Sequence, residues 1–213
     1  FWDGGNKWKI RFAPPDSGSR WRWTTSASAE DRGLCGQTGS FKSVAYREGN
    51  NLIKHGLLKM SPGKRNVIQA DGSPFLVVGD TPWSLPFRAT SDQVKIYAHD
   101  RRNKGFNTAL LITLQPDIYA EGPEARNTIM GFDRAFEDLQ AGRLNRIKPD
   151  YFQSLDSLIG ILIDHEIVPL YDPFANGYGW KGKTAIGPKV EPIEYSRYCK
   201  YLVARYGNTP AFW

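Results

Sequence analysis

From about residue 75 onward, unbroken apolar runs take turns with stretches of helical periodicity, and this alternation constrains the chain more than any other feature. Phe106 to Leu114 reads as one long apolar strand and Ile167 to Tyr171 as another. Between them Tyr151, Leu155, Leu158, Ile159, Leu162 and Ile163 mark one face of a helix. Tyr195, Tyr198, Cys199, Leu202 and Val203 mark a second helical face, closed by Gly207 and followed by the apolar run Thr209 to Trp213. A strand without a polar side is buried on both faces, and such strands separated by helices predict a parallel sheet covered by helices. Counting Phe75 to Val78, four strands of this kind amount to about half of a (β/α)8 barrel of ~250 residues. A doubly wound open sheet is the competing architecture. Strand ends that are polar and aromatic, where that fold prefers glycine-rich turns, favour the barrel.

The first forty-odd residues follow a different rule. In Lys7-Trp8-Lys9-Ile10-Arg11-Phe12 the apolar residues share one face and the basic ones the other. Arg20-Trp21-Arg22-Trp23-Thr24 repeats the pattern after the turn-prone Pro14-Pro15-Asp16-Ser17-Gly18, and Gly36-Gln37-Thr38-Gly39 leads to Phe41. Period-two alternation with glycine and proline punctuation predicts antiparallel strands with one buried face, part of a β-sandwich. The expected organisation is a partial antiparallel β-sandwich segment over 1–48, a polar linker over 49–56, and an α/β unit over 57–213, the N-terminal half of a (β/α)8 barrel. Within the last unit, Asp71-Gly72 predicts a hairpin turn, and Thr90-Ser91-Asp92-Gln93 a capping box for a helix that Gly105 ends.

The chain of 213 residues is long enough for a core without disulfides or a metal. Cys35 and Cys199 lie far apart and read as two buried thiols. The net charge of +6 is spread along the whole length, which is ordinary solvated surface; a nucleic-acid partner calls for a concentrated basic face. No apolar run is long enough for a bilayer, so a membrane partner is not expected. The chain starts at Phe1 and stops at Trp213 within segments that read as structured, and the expectation is a piece of a larger enzyme.

In a barrel the site gathers at the C-terminal strand ends. These carry Gly79-Asp80-Thr81-Pro82-Trp83, Gln115-Pro116-Asp117 and Asp172-Pro173-Phe174. Carboxylates, an amide and aromatic rings on one rim suit a sugar, whose hydroxyls need acceptors and whose C–H faces stack on rings. Asp80, Trp83, Gln115, Asp172, Phe174 and Trp180 are the candidate substrate-binding residues. The segments 117–150 and 175–183, the latter with Tyr178 and Trp180, would wall the pocket. Against this stands a plainer reading, in which an Asp after a strand caps a turn and Trp83 belongs to the core. For Asp117 the plainer reading prevails.

Gly177-Tyr178-Gly179-Trp180-Lys181-Gly182-Lys183-Thr184 matches the phosphate-loop pattern G-x-x-x-x-G-K-[ST]. That loop needs a helix directly behind it, and Gly187-Pro188 with Pro192 opposes one. Nucleotide binding therefore stays a minor alternative. His55, His99 and His165 are scattered, no Cys/His spacing fits zinc, and no cofactor or metal is expected. His165 reads as a solvated cation at a helix C-terminus.

Phe1-Trp2-Asp3-Gly4-Gly5, Trp8 to Phe12 and Leu34 to Phe41 resemble the end of the β-sandwich domain that precedes certain bacterial glycoside hydrolases. Ala70 to Phe75 running into Val78-Gly79-Asp80-Thr81-Pro82-Trp83 resembles the apiosidase-like family of (β/α)8 glycosidases. So do Arg101, Lys104 to Asn107, Pro149 to Phe152 with Asp156, and Ala204-Arg205-Tyr206-Gly207 leading to Trp213. The resemblance covers nearly the whole chain, and 117–144 is its poorest part. It implies a retaining glycosidase acting on plant polysaccharide side chains, outside the cell or in the periplasm. It also implies that the acid/base carboxylate lies a few residues beyond Trp213 and the nucleophile on a later strand, so that no catalytic residue is expected in this chain. The expected partners are carbohydrate and the remainder of the barrel. A non-catalytic carbohydrate-binding module is the alternative function.

Overall fold

The segment Thr-Ala-Leu-Leu-Ile buries side chains on both sides, and a strand with that property belongs at the centre of a covered sheet. The computed structural model, which describes residues 1–115, 134–174 and 186–213, places it there. Strand β7 (Thr108–Ile112) lies between β6 (Gly79–Asp80) and β8 (Val168–Asp172), all parallel and in sequential order. The register pairs Asp80 with Ala109, Leu111 with Tyr171 and Ile112 with Asp172. Alternation along the strands then sorts the side chains. Ala109, Leu111 and Tyr171 are fully buried and face the helical layer, where Tyr171 stacks on Tyr206 at 5.2 Å. Leu110, Ile112, Leu170 and Asp172 share the opposite face.

Past the short helix α2 (Leu85–Arg88), three long helices among the described residues cover one side of the sheet. Helix α3 (Ser91–Asn103) starts at the expected capping box: Thr90 Oγ1 accepts from the Gln93 amide, and Gln93 Oε1 accepts from the Thr90 amide. Such a cap contributes about 1 kcal/mol. Gly105 ends this region at φ +83, a conformation that Cβ disfavours. Helix α4 (Pro149–Asp164) and helix α5 (Pro192–Tyr206) each place proline in the first turn, where its missing N–H has no intrahelical partner to lose. Helix α4 buries Tyr151, Phe152, Leu155, Leu158, Ile159, Leu162 and Ile163, the stripe read from its periodicity extended by Phe152. His165 stands at its C-terminus as expected, half-buried where solvation was expected, with Nδ1 2.8 Å from the Ile161 carbonyl.

The hairpin at Asp71-Gly72 forms, with β4 (Val67–Gln69) antiparallel to β5 (Pro74–Phe75) and Gly72 at φ +93. On its other side β4 pairs with β3 (Leu58–Met60). Two strands come out shorter than their apolar runs. Phe75 to Val78 was expected as one strand, yet β5 ends at Phe75 and Leu76 is 78% exposed. Thr209 to Trp213 contributes one parallel bridge, Phe212 beside Leu170, with the Tyr171 amide donating to the Phe212 carbonyl at 2.9 Å.

The N-terminal region departs further from expectation. Strand β1 (Arg20–Thr24) pairs antiparallel with β2 (Thr38–Lys42), but Lys7 to Phe12 forms no strand and touches Trp2 through a single bridge. The only backbone it pairs with among the described residues is the short run Phe1 to Asp3, too little to extend the bridge into a strand. The stretch taken for a linker is a docked helical turn, α1 (Asn51–Lys54), with Leu52 buried. Asn50 caps it and donates from Nδ2 to the Ile163 carbonyl at 2.7 Å, tying the turn to the end of α4. Both cysteines are free and half-buried, where burial was expected.

What fastens the N-terminal segment to the helices is an ion cluster around Arg205, whose side chain is 0% exposed. Its guanidinium donates to both oxygens of Asp156 at 2.7 Å and reaches Asp3 Oδ1 at 2.8 Å. Arg11 completes the cluster on Asp156 and donates to the Arg205 carbonyl at 2.7 Å. Removing one partner of a buried ion pair leaves the other charge uncompensated, at a cost of about 3–5 kcal/mol. Arg205→Leu is therefore expected to lose about 3–5 kcal/mol in urea denaturation. A loss below about 1 kcal/mol would show that water replaces the guanidinium without penalty.

Candidate functional site

Each strand end delivers its candidate residue by a different route. After β6 the chain turns through Thr81, Pro82 and Trp83, and the Trp83 carbonyl accepts the Ile112 amide at 2.9 Å, continuing the pairing with β7. The Trp83 ring is half-buried and lies 5.9 Å from Phe87 at a tilt of 58°. Asp80, expected to face a sugar, shares the register face of Ala109 and points to the helical layer. Its Oδ2 accepts from Arg101 Nε at 2.5 Å and from the Tyr97 hydroxyl at 3.3 Å, while Oδ1 accepts the Thr81 amide at 2.7 Å. Burial alone would raise the Asp80 pKa, but these donors outweigh it and hold the carboxyl below its ordinary value. The geometry makes Asp80 the clamp of the turn that carries Trp83.

Gln115, beyond β7, is 1% exposed, and its Oε1 accepts the Ala135 amide at 3.2 Å. This bond joins the two ends of the interval 116–133. Asp117, Tyr178 and Trp180 lie outside the described residues, as does the glycine-rich stretch Gly177 to Thr184. The helix after that stretch begins only at Pro192, preceded by a single turn at Gly187–Lys189. A phosphate loop has its helix directly behind it.

Asp172 is the carboxylate that the sheet turns away from the helices. It ends β8 half-buried, and burial raises its pKa, with the Phe174 amide pulling part of the way back. Among the described residues it forms no ion pair. Its main chain is held by buried polar groups: the Thr113 amide donates to the Asp172 carbonyl at 2.9 Å and Thr113 Oγ1 to the Pro173 carbonyl at 2.8 Å. Thr113 Oγ1 also meets the Tyr198 hydroxyl at 2.5 Å, and the Tyr151 hydroxyl donates to the Thr113 carbonyl at 2.8 Å. Phe174 is half-buried against the ring of Tyr195, centroids 4.6 Å apart at 66°. The structure thus brings Asp172 and Phe174 together at one strand end, with Trp83 at the end of β6 and Asp80 and Gln115 bound within the frame. Among the described residues no group of His, Cys, Asp and Glu is arranged to hold a metal, and no helix is long and apolar enough to cross a membrane.

Sequence reading missed two contributors. Tyr195 was counted only as part of a helical stripe, yet its position in the first turns of α5 places it beside the end of β8. Glu194, just before that stripe, is 2% exposed and anchors the segment before α4. Its oxygens accept from Arg143 Nε at 2.6 Å, the Leu144 amide at 2.8 Å and Asn145 Nδ2 at 2.7 Å. A Glu before a helical stripe carries no mark of such a role. Burial would raise the Glu194 pKa, but the Leu144 amide, Asn145 and Arg143 outweigh it and lower it. A lowered folded value contributes stability that is complete above the unfolded pKa of about 4.3 and is lost as pH falls through the folded value. Wild type and Glu194→Gln should therefore differ most near neutral pH and converge below about pH 4. Denaturation midpoints across that range check this, and a gap independent of pH would exclude the ionised carboxylate as its source.

A family model described as "Apiosidase-like, catalytic domain" matches residues 61–213. No curated protein matches the chain. Among solved structures, a candidate glycoside hydrolase from Bacteroides vulgatus aligns over 100% of this chain and 40% of its own, with a TM-score of 0.70 and 21% identity. A protein named simply a glycoside hydrolase aligns over 76% of this chain and 34% of its own, at TM-score 0.58 and 19% identity. A glycoside hydrolase of family 5, also from Bacteroides vulgatus, aligns over 76% and 33%, at TM-score 0.55 and 22% identity. The chain spans well under half the length of each of these proteins, and at such identities the likeness is one of fold. The family match takes in both the covered parallel sheet and the strand ends just described: the chain belongs to the apiosidase-like catalytic-domain family.

Proposed function

We propose that this chain is the first half of the (β/α)8 barrel of a retaining glycoside hydrolase acting on plant polysaccharide side chains. Sequential parallel strands with helices on one face, preceded by the β1–β2 ribbon as the remnant of a β-sandwich, support that architecture. The observation that carries the function is Asp172, a half-buried carboxylate at a strand end, without an ion-pair partner among the described residues and flanked by Phe174. A carboxylate in that state accepts sugar hydroxyls, and the ring beside it takes a C–H face. Trp83 stands on the same rim. Asp80 and Gln115 act through the frame, by fixing the turn at Trp83 and the return of the chain at Ala135.

In this reading the barrel is completed by chain beyond Trp213, which supplies the acid/base and nucleophile carboxylates. Retaining chemistry sets two carboxyl groups about 5–5.5 Å apart, one to protonate the leaving oxygen and one to attack the anomeric carbon. Asp172 binds substrate and belongs to neither role. The protein would act outside the cell or in the periplasm, where such polysaccharides are met.

The test uses the protein at its full natural length. Incubated with plant polysaccharides bearing short side chains, it should release sugar whose anomeric configuration, followed by NMR from the first turnovers, is that of the substrate. Release of the opposite anomer would remove the retaining reading, and binding without release would favour a non-catalytic carbohydrate-binding module. Asp172→Ala should lower kcat/KM roughly ten- to hundredfold, which corresponds to hydrogen bonds to a charged group at about 1.5–3 kcal/mol.

A further inference from the structure

The Asp172 carboxylate does not stand alone at the end of β8. Tyr195, in α5, is 37% exposed and packs edge to face against Phe174 with centroids 4.6 Å apart. The charge of Asp172 reaches its hydroxyl. A carboxyl group and a phenol therefore border a pair of aromatic rings. Their framework is rigid: the Thr113, Tyr198 and Tyr151 bonds hold the main chain of Asp172 and Pro173, and α5 carries Tyr195 on the same helix as Tyr198.

Resting on the reading that this rim binds carbohydrate, we propose that Tyr195 is a specificity-determining residue, which with Asp172 and Phe174 forms a subsite for a neutral sugar unit and disfavours a uronate. A vicinal diol offers two O–H donors to the carboxylate and an acceptor to the phenol, and its C–H face covers the exposed part of the ring. The phenol stays protonated throughout the working range. Its pKa is pushed up to about 12, first by burial and further by the neighbouring Cys199 side chain and the charge of Asp172. It is thus a neutral partner and offers a uronate no compensating cation. A uronate placed here would set its carboxylate against that of Asp172, and like charges at short range in a partly buried site repel. Among the described residues, the partner that the structure gives the Asp172 carboxylate is the Phe174 amide, which offsets only part of the burial.

The experiment compares pectic oligosaccharides before and after carboxyl reduction, which turns each uronate into the neutral sugar of the same stereochemistry. Binding to the full-length protein is measured by calorimetry for wild type, Tyr195→Phe, Tyr195→Ala and Asp172→Ala, with thermal melting as the check on folding. The reduced oligosaccharides are expected to bind at least about tenfold more tightly than the native ones. Tyr195→Ala should weaken their binding roughly tenfold, and Tyr195→Phe should retain part of it through the ring. Should neither form bind, or should binding ignore Asp172→Ala, the rim is not a carbohydrate site and the proposed function fails at this position together with the inference. Binding that depends on Asp172 but is equal for both forms, or is untouched by Tyr195→Ala in a variant that melts like wild type, overturns the inference alone.

Discussion

Arg205 is the charge around which this chain is assembled. Its guanidinium lies fully buried between α4, α5 and the first residues of the chain, and a cation in that position persists only if every direction is answered. Asp156 takes it with both oxygens, Asp3 takes it from the N-terminal segment, the Tyr201 hydroxyl accepts at 2.8 Å, and the Phe1 ring lies over it at 4.7 Å. Three sequence-distant segments are thereby held at one point. The orientation of α5 follows from this anchor at its C-terminal end and from Glu194 at its N-terminal end, where a buried carboxylate is answered by Arg143, Leu144 and Asn145. Tyr195 stands next to that second anchor, so its placement beside Asp172 depends on charge networks that never touch the rim.

The strand ends divide labour in the same way. A carboxylate directed into the helical layer is neutralised and shapes backbone, as Asp80 does through Arg101, Tyr97 and the Thr81 amide. A carboxylate directed to the other face meets no ion-pair partner among the described residues, as Asp172 does, and accepts only the Phe174 amide there. One residue of register separates the two outcomes, since neighbouring positions on a strand point to opposite faces. The aromatic pair Phe174–Tyr195 next to Asp172 adds an apolar surface to a polar acceptor, the combination that sugar recognition draws on.

Much of this was legible from the residues. The parallel sheet, the capping box at Thr90, the hairpin at Asp71-Gly72, the helix stripes and the family resemblance all rest on local pattern, and local pattern survived into the structure. Among the expectations that did not, three show why. Lys7 to Phe12 alternates like a strand but pairs only with the short run Phe1 to Asp3. Asn50 looks like linker because its polar side chain is needed both as a cap and as a tether. Leu76 to Val78 looks like buried strand, yet Leu76 stands out from the sheet.

The sequence by itself determined the long helices, the apolar strands between them, and that Asp172 and Phe174 end a strand, because periodicity, caps and turn residues act over a few neighbours. Only the tertiary structure decided that Asp80 faces Arg101, that Gln115 is an internal tie, that Glu194 is buried, and that Tyr195 joins the rim. Those outcomes depend on strand register and helix docking. They are set by buried charges meeting partners from 20 to 200 residues away, and no local pattern encodes such a meeting.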